Sequence, residues 1–146
     1  MSFEALVASI VGDYAHTHDP AREAAWIAEA GGGRVGCVFC VRGDDDRTAR
    51  LRILLVDPVA RGGGLGARLV ETCQDFARGA GYDRIVLWTN ANLVAAVRIY
   101  ERAGFALVDE HAHSSFGRDL IGQTWACELS GAGQPQPREP AVDPNP

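Results

Sequence analysis

Apolar positions recur along this chain with two periods, and the switches between them mark its elements. Phe3, Leu6, Val7, Ile10, Val11 and Tyr14 fall three and four residues apart. That spacing predicts a helix ending near His16 to Pro20. Ala24 to Ala30 and Val35 to Val41 are apolar runs separated by Gly31-Gly32-Gly33, the pattern of a hairpin. A third strand is predicted over Leu51 to Val56 and stops at Asp57-Pro58. A glycine-rich loop follows and runs straight into a helix. Its apolar stripe holds Leu65, Leu69, Cys73, Phe76, Ala77 and Ala80, with Glu71, Gln74, Asp75 and Arg78 facing outward. Gly79 and Gly81 end it. Arg84 to Trp88 reads as a short buried strand. Leu93, Ala96, Val97 and Tyr100 predict a second helix, starting after Asn90 to Asn92 and ending at Gly104. Two strands, Phe105 to Asp109 and Gln123 to Leu129, complete the pattern.

This order predicts a mixed α/β (α+β layered) fold, a central twisted sheet flanked by helices, in one domain over 1–130. The segment 131–146 is rich in Gly, Pro and Gln and is expected to be a disordered tail. Apolar residues make up 47% of the 146 and charged residues 23%, the balance of a globular soluble domain. No apolar run approaches the roughly 18 to 20 residues that span a bilayer. The start lacks the basic residues and unbroken apolar centre of a signal peptide, so no membrane partner and a cytoplasmic location are expected.

Charge narrows the function classes. A net charge of −5 argues against a nucleic-acid partner, which calls for a basic face. Every basic residue is Arg. Without Lys there is neither a Walker A phosphate site nor a Schiff-base mechanism. Cys37 and Cys40 have CxxC spacing, but three positions along a strand point to opposite faces. With no second CxxC, they are expected to be core residues rather than metal ligands or a redox pair. Asp44-Asp45-Asp46 lacks the Gly and distal Glu of a calcium loop. No metal is therefore expected.

The loop Arg61-Gly62-Gly63-Gly64-Leu65-Gly66 carries the strongest signal. Glycines let the backbone approach an anion closely, and the following helix aims its unpaired N–H groups and positive dipole end there. A pyrophosphate suits such a place. A dinucleotide-binding loop would add an acid at the end of the next strand, but that strand ends in Trp88-Thr89-Asn90.

The same loop resembles the Arg/Gln-x-x-Gly-x-Gly/Ala signature of the GNAT acetyltransferases, preceded here by a strand and Val56-Asp57-Pro58. Ala96 to Phe105 is similar to that family's Ala-x-x-x-Tyr-x-x-x-Gly-Phe segment. The stretch Trp88 to Trp125, with His113-Ser114-Ser115-Phe116-Gly117, resembles GNAT domains often fused to MarR-like regulators, although no helix-turn-helix region is present. The likeness covers roughly Phe3 to Ser130. Two departures stand out. The usual first strand is expected to be missing, and Leu93 stands where many members place an Asn that holds the pantetheine arm. Asn92 or Asn90 could substitute, and Asn92 is equally explained as a helix N-cap.

The resemblance implies an N-acetyltransferase that moves the acetyl group of acetyl-CoA, its co-substrate, to a primary amine. Leu54, Leu55 and Val56 would pair their backbone with pantetheine amides. Arg61, Gly62, Gly63, Gly64, Leu65, Gly66 and Ala67 would hold the pyrophosphate. Tyr100 would protonate the departing thiolate, and Glu110 and His113 are candidate general bases. The acceptor would be a small molecule or a peptide amine. The alternatives are an inactive acyl-CoA-binding regulatory module and a partner-dependent fragment that forms a homodimer through an exposed sheet edge.

Overall fold

Strand pairing begins with the hairpin that the three glycines predict. In the computed structural model, which describes residues 3–115 and 117–129, helix α1 covers Phe3–Thr17. Strand β1 (Ala24–Ala30) then turns back into β2 (Gly33–Arg42). Gly31 and Gly32 make the turn at φ of 60° and 82°, where side chains other than hydrogen are strained. Strand β3 (Thr48–Val56) continues the antiparallel run, and a short 3-10 turn at Pro58–Ala60 leads to helix α2 (Leu65–Gly79). Then come β4 (Arg84–Asn90), helix α3 (Val94–Arg102), β5 (Ala106–Ser115) and β6 (Arg118–Glu128). The expected tail over 131–146 lies outside the described residues, as do Ser130 and Phe116. Among the described residues no strand precedes α1.

The six strands form one mixed sheet in the order β1-β2-β3-β4-β6-β5. Only β3 and β4 run parallel, joined by α2 as the crossover. The last two strands are longer than their apolar runs predicted, because β5 and β6 remain paired out to Ser115 and Arg118. Polar residues can extend such a hairpin, since its outer face meets water.

One sheet face carries the core. Val38, Cys40, Ala49 and Ile85 are fully buried there, against Val70, Cys73 and Ala77 of α2. Trp26 of β1 meets Phe76 of α2 edge-on at 5.4 Å. Helix α1 lies on the opposite face, where Tyr14 meets Phe39 edge-on at 5.1 Å. Cys40 points toward α2 and Cys37 toward the other face, as strand parity requires, and all four cysteines are free.

One position departs from the amphipathic reading of α2. Gln74 falls outside the predicted apolar stripe, yet it is only 7% exposed. Its Nε2 donates to the Ala103 carbonyl at 2.8 Å and to Cys127 Sγ at 3.5 Å. A partnered amide is tolerated in the core, and here it ties α2 to the end of α3.

Gly36 fixes how closely β2 approaches β3 and α2. A Cβ there would stand 2.9 Å from the Leu55 carbonyl oxygen and 3.2 Å from side-chain carbons of Leu65 and Leu69. Gly36→Ala is expected to destabilise the protein by about 1–3 kcal/mol, because the obstructing atom is backbone. Urea denaturation measures this, and an unchanged midpoint would contradict the packing described.

Candidate active site

The sheet opens in its middle. β3 and β4 pair only over Thr48–Arg50 and Arg84–Val86. Beyond those three residues each strand keeps its outer neighbour, through Gly36↔Val56 on one side and Asn90↔Gly122 on the other. No pairing joins their facing edges. A cause is visible in β3, where Ile53 takes φ of 53° and one extra residue enters the β2–β3 register. A bulge of this kind bends a strand and sharpens its twist. The facing peptide groups of 51–56 and 87–90 are thus free for water or a ligand.

The glycine loop stands at the open end of this seam. Asp57 Oδ1 accepts from Val59 N at 3.0 Å and fixes the 3-10 turn. Gly62 and Gly64 have φ of 91° and 82°, and nothing lies within 4 Å of where their side chains would be. Gly64 is the N-cap of α2 and has no side chain to satisfy the first N–H groups, which leaves them free to bind. Gly66 is buried, and Ile99 of α3 fills the space a side chain would need. Leu65 and Val56 pack on the core, whereas Ala67 is exposed. Arg61 is exposed and donates through Nε to the Val56 carbonyl at 3.2 Å. Gly63 continues the loop. Leu54 faces the core with Val56, and Leu55 is exposed on the α1 face.

Asn92 does not cap α3. Leu93 holds the N-cap position with no side-chain bond, and its N–H meets the Asn90 carbonyl at 3.0 Å. Asn92 is exposed in the turn. Asn90 is engaged elsewhere, its Oδ1 lying 2.9 Å from His113 Nε2.

Tyr100 is 5% exposed, with its ring 5.9 Å from that of Phe105. Burial, with a smaller contribution from Cys73, pushes its pKa up to about 12. Its proton is therefore held throughout the physiological range.

Glu110 and His113 lie within β5 rather than beyond it, and they face opposite ways. Glu110 accepts from Gln123 Nε2 at 2.8 Å, and Gln123 Oε1 accepts from the buried Trp125 indole N–H at 3.1 Å. That chain belongs to the α2/α3 face. His113 sits on the α1 face with Asn90, 5.5 Å from the Trp88 ring and 6.0 Å from His111. An odd separation along a strand makes this unavoidable. Trp88 and Gly122 were missed by the sequence reading, although the outward parity of Trp88 against buried Ile85 and Leu87 was a usable signal. Among the described residues no three His, Cys, Asp or Glu side chains gather as a metal site. No helix there is long and apolar enough to cross a membrane.

The model of the Acetyltransferase (GNAT) family matches residues 4–105. This chain belongs to the GNAT acetyltransferase family. It is 31% identical over 95 residues to an IAA acetyltransferase of Azospirillum brasilense, covering 65% of this chain and 61% of that one. To N-acetyltransferase 8 of Rattus norvegicus it is 36% identical over 109 residues, covering 72% and 46%. It thus spans less than two thirds of the length of these relatives. A GNAT family acetyltransferase from Elizabethkingia anophelis, solved with acetyl-CoA bound, superposes with a TM-score of 0.65 at 16% identity over 83% of this chain and 82% of that one. The six-stranded mixed sheet with flanking helices is the GNAT fold.

The Tyr100 shift has a checkable sign. A folded pKa above the unfolded value near 10 favours the fold fully below pH 10, and that advantage is lost as pH rises toward 12. By pH 11 the wild type should have lost about 1.4 kcal/mol relative to pH 8, a loss that Tyr100→Phe does not show. Melting curves of both proteins from pH 8 to 11 test it. Tyr14 and Tyr82 are also raised, but they contribute equally to both proteins.

Proposed function

We propose that this chain transfers the acetyl group of acetyl-CoA to the primary amine of a small molecule or peptide. The observation that carries this reading is the seam between β3 and β4 with an uncapped, glycine-started helix at its open end. A pyrophosphate fits the free N–H groups of α2, and an amide-bearing arm fits the unpaired edge of 54–56. Arg61 adds positive charge beside the loop once its guanidinium is shared between Val56 and the phosphates. Bound acetyl-CoA supplies an activated thioester.

Each remaining step falls to the chain's own groups. The acceptor must be neutral, since its ammonium form, near pKa 10, has no lone pair. As the N–C bond forms and the C–S bond breaks, the Val56 N–H stabilises the negative charge growing on the carbonyl oxygen. Tyr100 offers its proton to the sulfur. Its high pKa makes it a hydrogen-bond donor that releases the proton only when the thiolate is itself desolvated. The amine's surplus proton leaves on the α1 face, where His113 is held by Asn90. Glu110, engaged with Gln123 on the other face, is the weaker candidate for this relay.

Thiol release from acetyl-CoA across a panel of amines and peptides, with a binding titration alongside, tests the proposal. Turnover on an acceptor is expected. Binding without turnover would favour an inactive acyl-CoA-binding module, and no binding would remove the assignment of the 61–66 loop. Tyr100→Phe should lower kcat by about a hundredfold or more with the fold intact. Unchanged kcat would leave Tyr100 as a core aromatic only. Gly64→Val should weaken acetyl-CoA binding well beyond the roughly 1–2 kcal/mol of strain that a side chain at positive φ costs the fold.

A further inference from the structure

The last paired residues of β3 and β4 are Arg50 and Val86. Two positions further along, on the same face, stand Arg52 and Trp88, one on each lip of the seam. Arg52 lies directly across from Phe39, whose ring meets α1, so its side chain belongs to the α1 face. Trp88 belongs to that face through its contacts with His113 and Gly122. The glycine loop and Tyr100 occupy the other face. On the side away from α2 and α3, these two residues flank the seam.

Both are placed in a way that packing alone does not explain. Trp88 is 49% exposed in a strand whose alternate residues, Ile85 and Leu87, are buried. Its indole packs directly over position 122 of β6, which only glycine leaves free. A Cβ there would stand 2.8 to 3.1 Å from three indole atoms. The ring is thereby seated on Gly122, with His113 at 5.5 Å, and still keeps about half of its surface exposed. Arg52 differs from its neighbour Arg50, whose guanidinium meets Asp44 at 3.1 Å. Among the described residues no hydrogen bond or ion pair holds Arg52. Arg52 is exposed, yet partial desolvation by its surroundings and the charge of Arg50 lower its pKa, and Asp13 of α1 offsets this only in part. A carboxylate is the partner that planar guanidinium geometry suits best.

We propose that Arg52 and Trp88 form the acceptor subsite and select amines that carry both a carboxylate and a flat aromatic or apolar group, such as aromatic amino acids or peptides ending in one. This assignment rests on the acetyl-transfer reading. The carboxylate would pair with Arg52 while the apolar group covers the exposed surface of Trp88, leaving the amine over the seam between them. Leu55, exposed on the same face, extends the apolar floor.

Four acceptors separate the two contributions: phenylalanine, phenethylamine, alanine and ethylamine. For the wild type, kcat/KM should favour phenylalanine over phenethylamine and over alanine, each by about tenfold or more, the value of one good interaction. Arg52→Gln should collapse the first ratio toward one while keeping the second. Trp88→Ala should collapse the second while keeping the first. Acetyl-CoA binding by each variant reports that it is folded, and Trp88→Phe, which keeps a ring, should retain most of the second ratio. Turnover without these preferences, or preferences that survive the substitutions, overturns the subsite and leaves acetyl transfer standing. Turnover on other amines of the wider panel but on none of these four does the same. No turnover on any amine overturns both.

Discussion

Two strands that lie side by side for three residues and then lose their pairing leave peptide groups on both facing edges with no strand to satisfy them. Each such group costs about 1–3 kcal/mol if it is buried without a partner, so the seam must stay wet or be filled. A bulge at Ile53 and intact outer ladders on β2 and β6 hold it open. The other features of the site follow from that opening. The loop of 61–66 stands where the seam ends, α2 begins there with uncapped N–H groups, and α3 closes over α2 because Gly66 leaves room for Ile99.

The seam also divides the chemistry between two faces of the sheet. On one side are the glycine loop, Tyr100, and the chain of Trp125, Gln123 and Glu110. On the other are Arg52, Trp88, Asn90 and His113. On the first side, burial keeps a tyrosine protonated beside a loop suited to anions. The half-open side carries imidazole, guanidinium and indole groups that can recognise a polar molecule and accept its proton. The proposed reaction, joining a bound thioester to an incoming amine, would draw on both environments, and an open seam gives access to each from its own side of the sheet.

Much of this was legible in the residues. Alternation and helical spacing located every strand and helix core, and the glycine loop was found because its composition is so costly without a guest. What escaped reading has specific causes. The parting of β3 and β4 depends on which residues pair, and an apolar run such as Leu51 to Val56 looks the same paired or unpaired. The extension of β5 through His111 and His113 is held by β6, a tertiary effect that polar residues do not announce. Asn92 looked like a cap, but the turn closes through the Asn90 carbonyl and moves the cap to Leu93. Gln74 looked solvated because a buried amide is recognisable only through its partners, Ala103 and Cys127. Glu110 and His113, both candidate bases, end on opposite faces because their odd spacing falls within one continuous strand.

The short parallel ladder has a mechanical meaning. It is the one sheet connection between two stiff blocks, β1-β2-β3 and β4-β6-β5. Beside it, Arg47 forms an ion pair with Asp83, the Asp83 N–H meets the Arg47 carbonyl at 2.8 Å, and Leu129 N meets the Asp83 carbonyl at 2.7 Å. The two blocks are thus riveted at one end and free at the other, like the arms of tweezers, with α2 lying across them. A molecule lodged between the arms bridges them and stiffens the whole sheet. Conversely, changes at the rivet, well away from any reacting atom, would alter the gap between the arms and so the fit of whatever they grip.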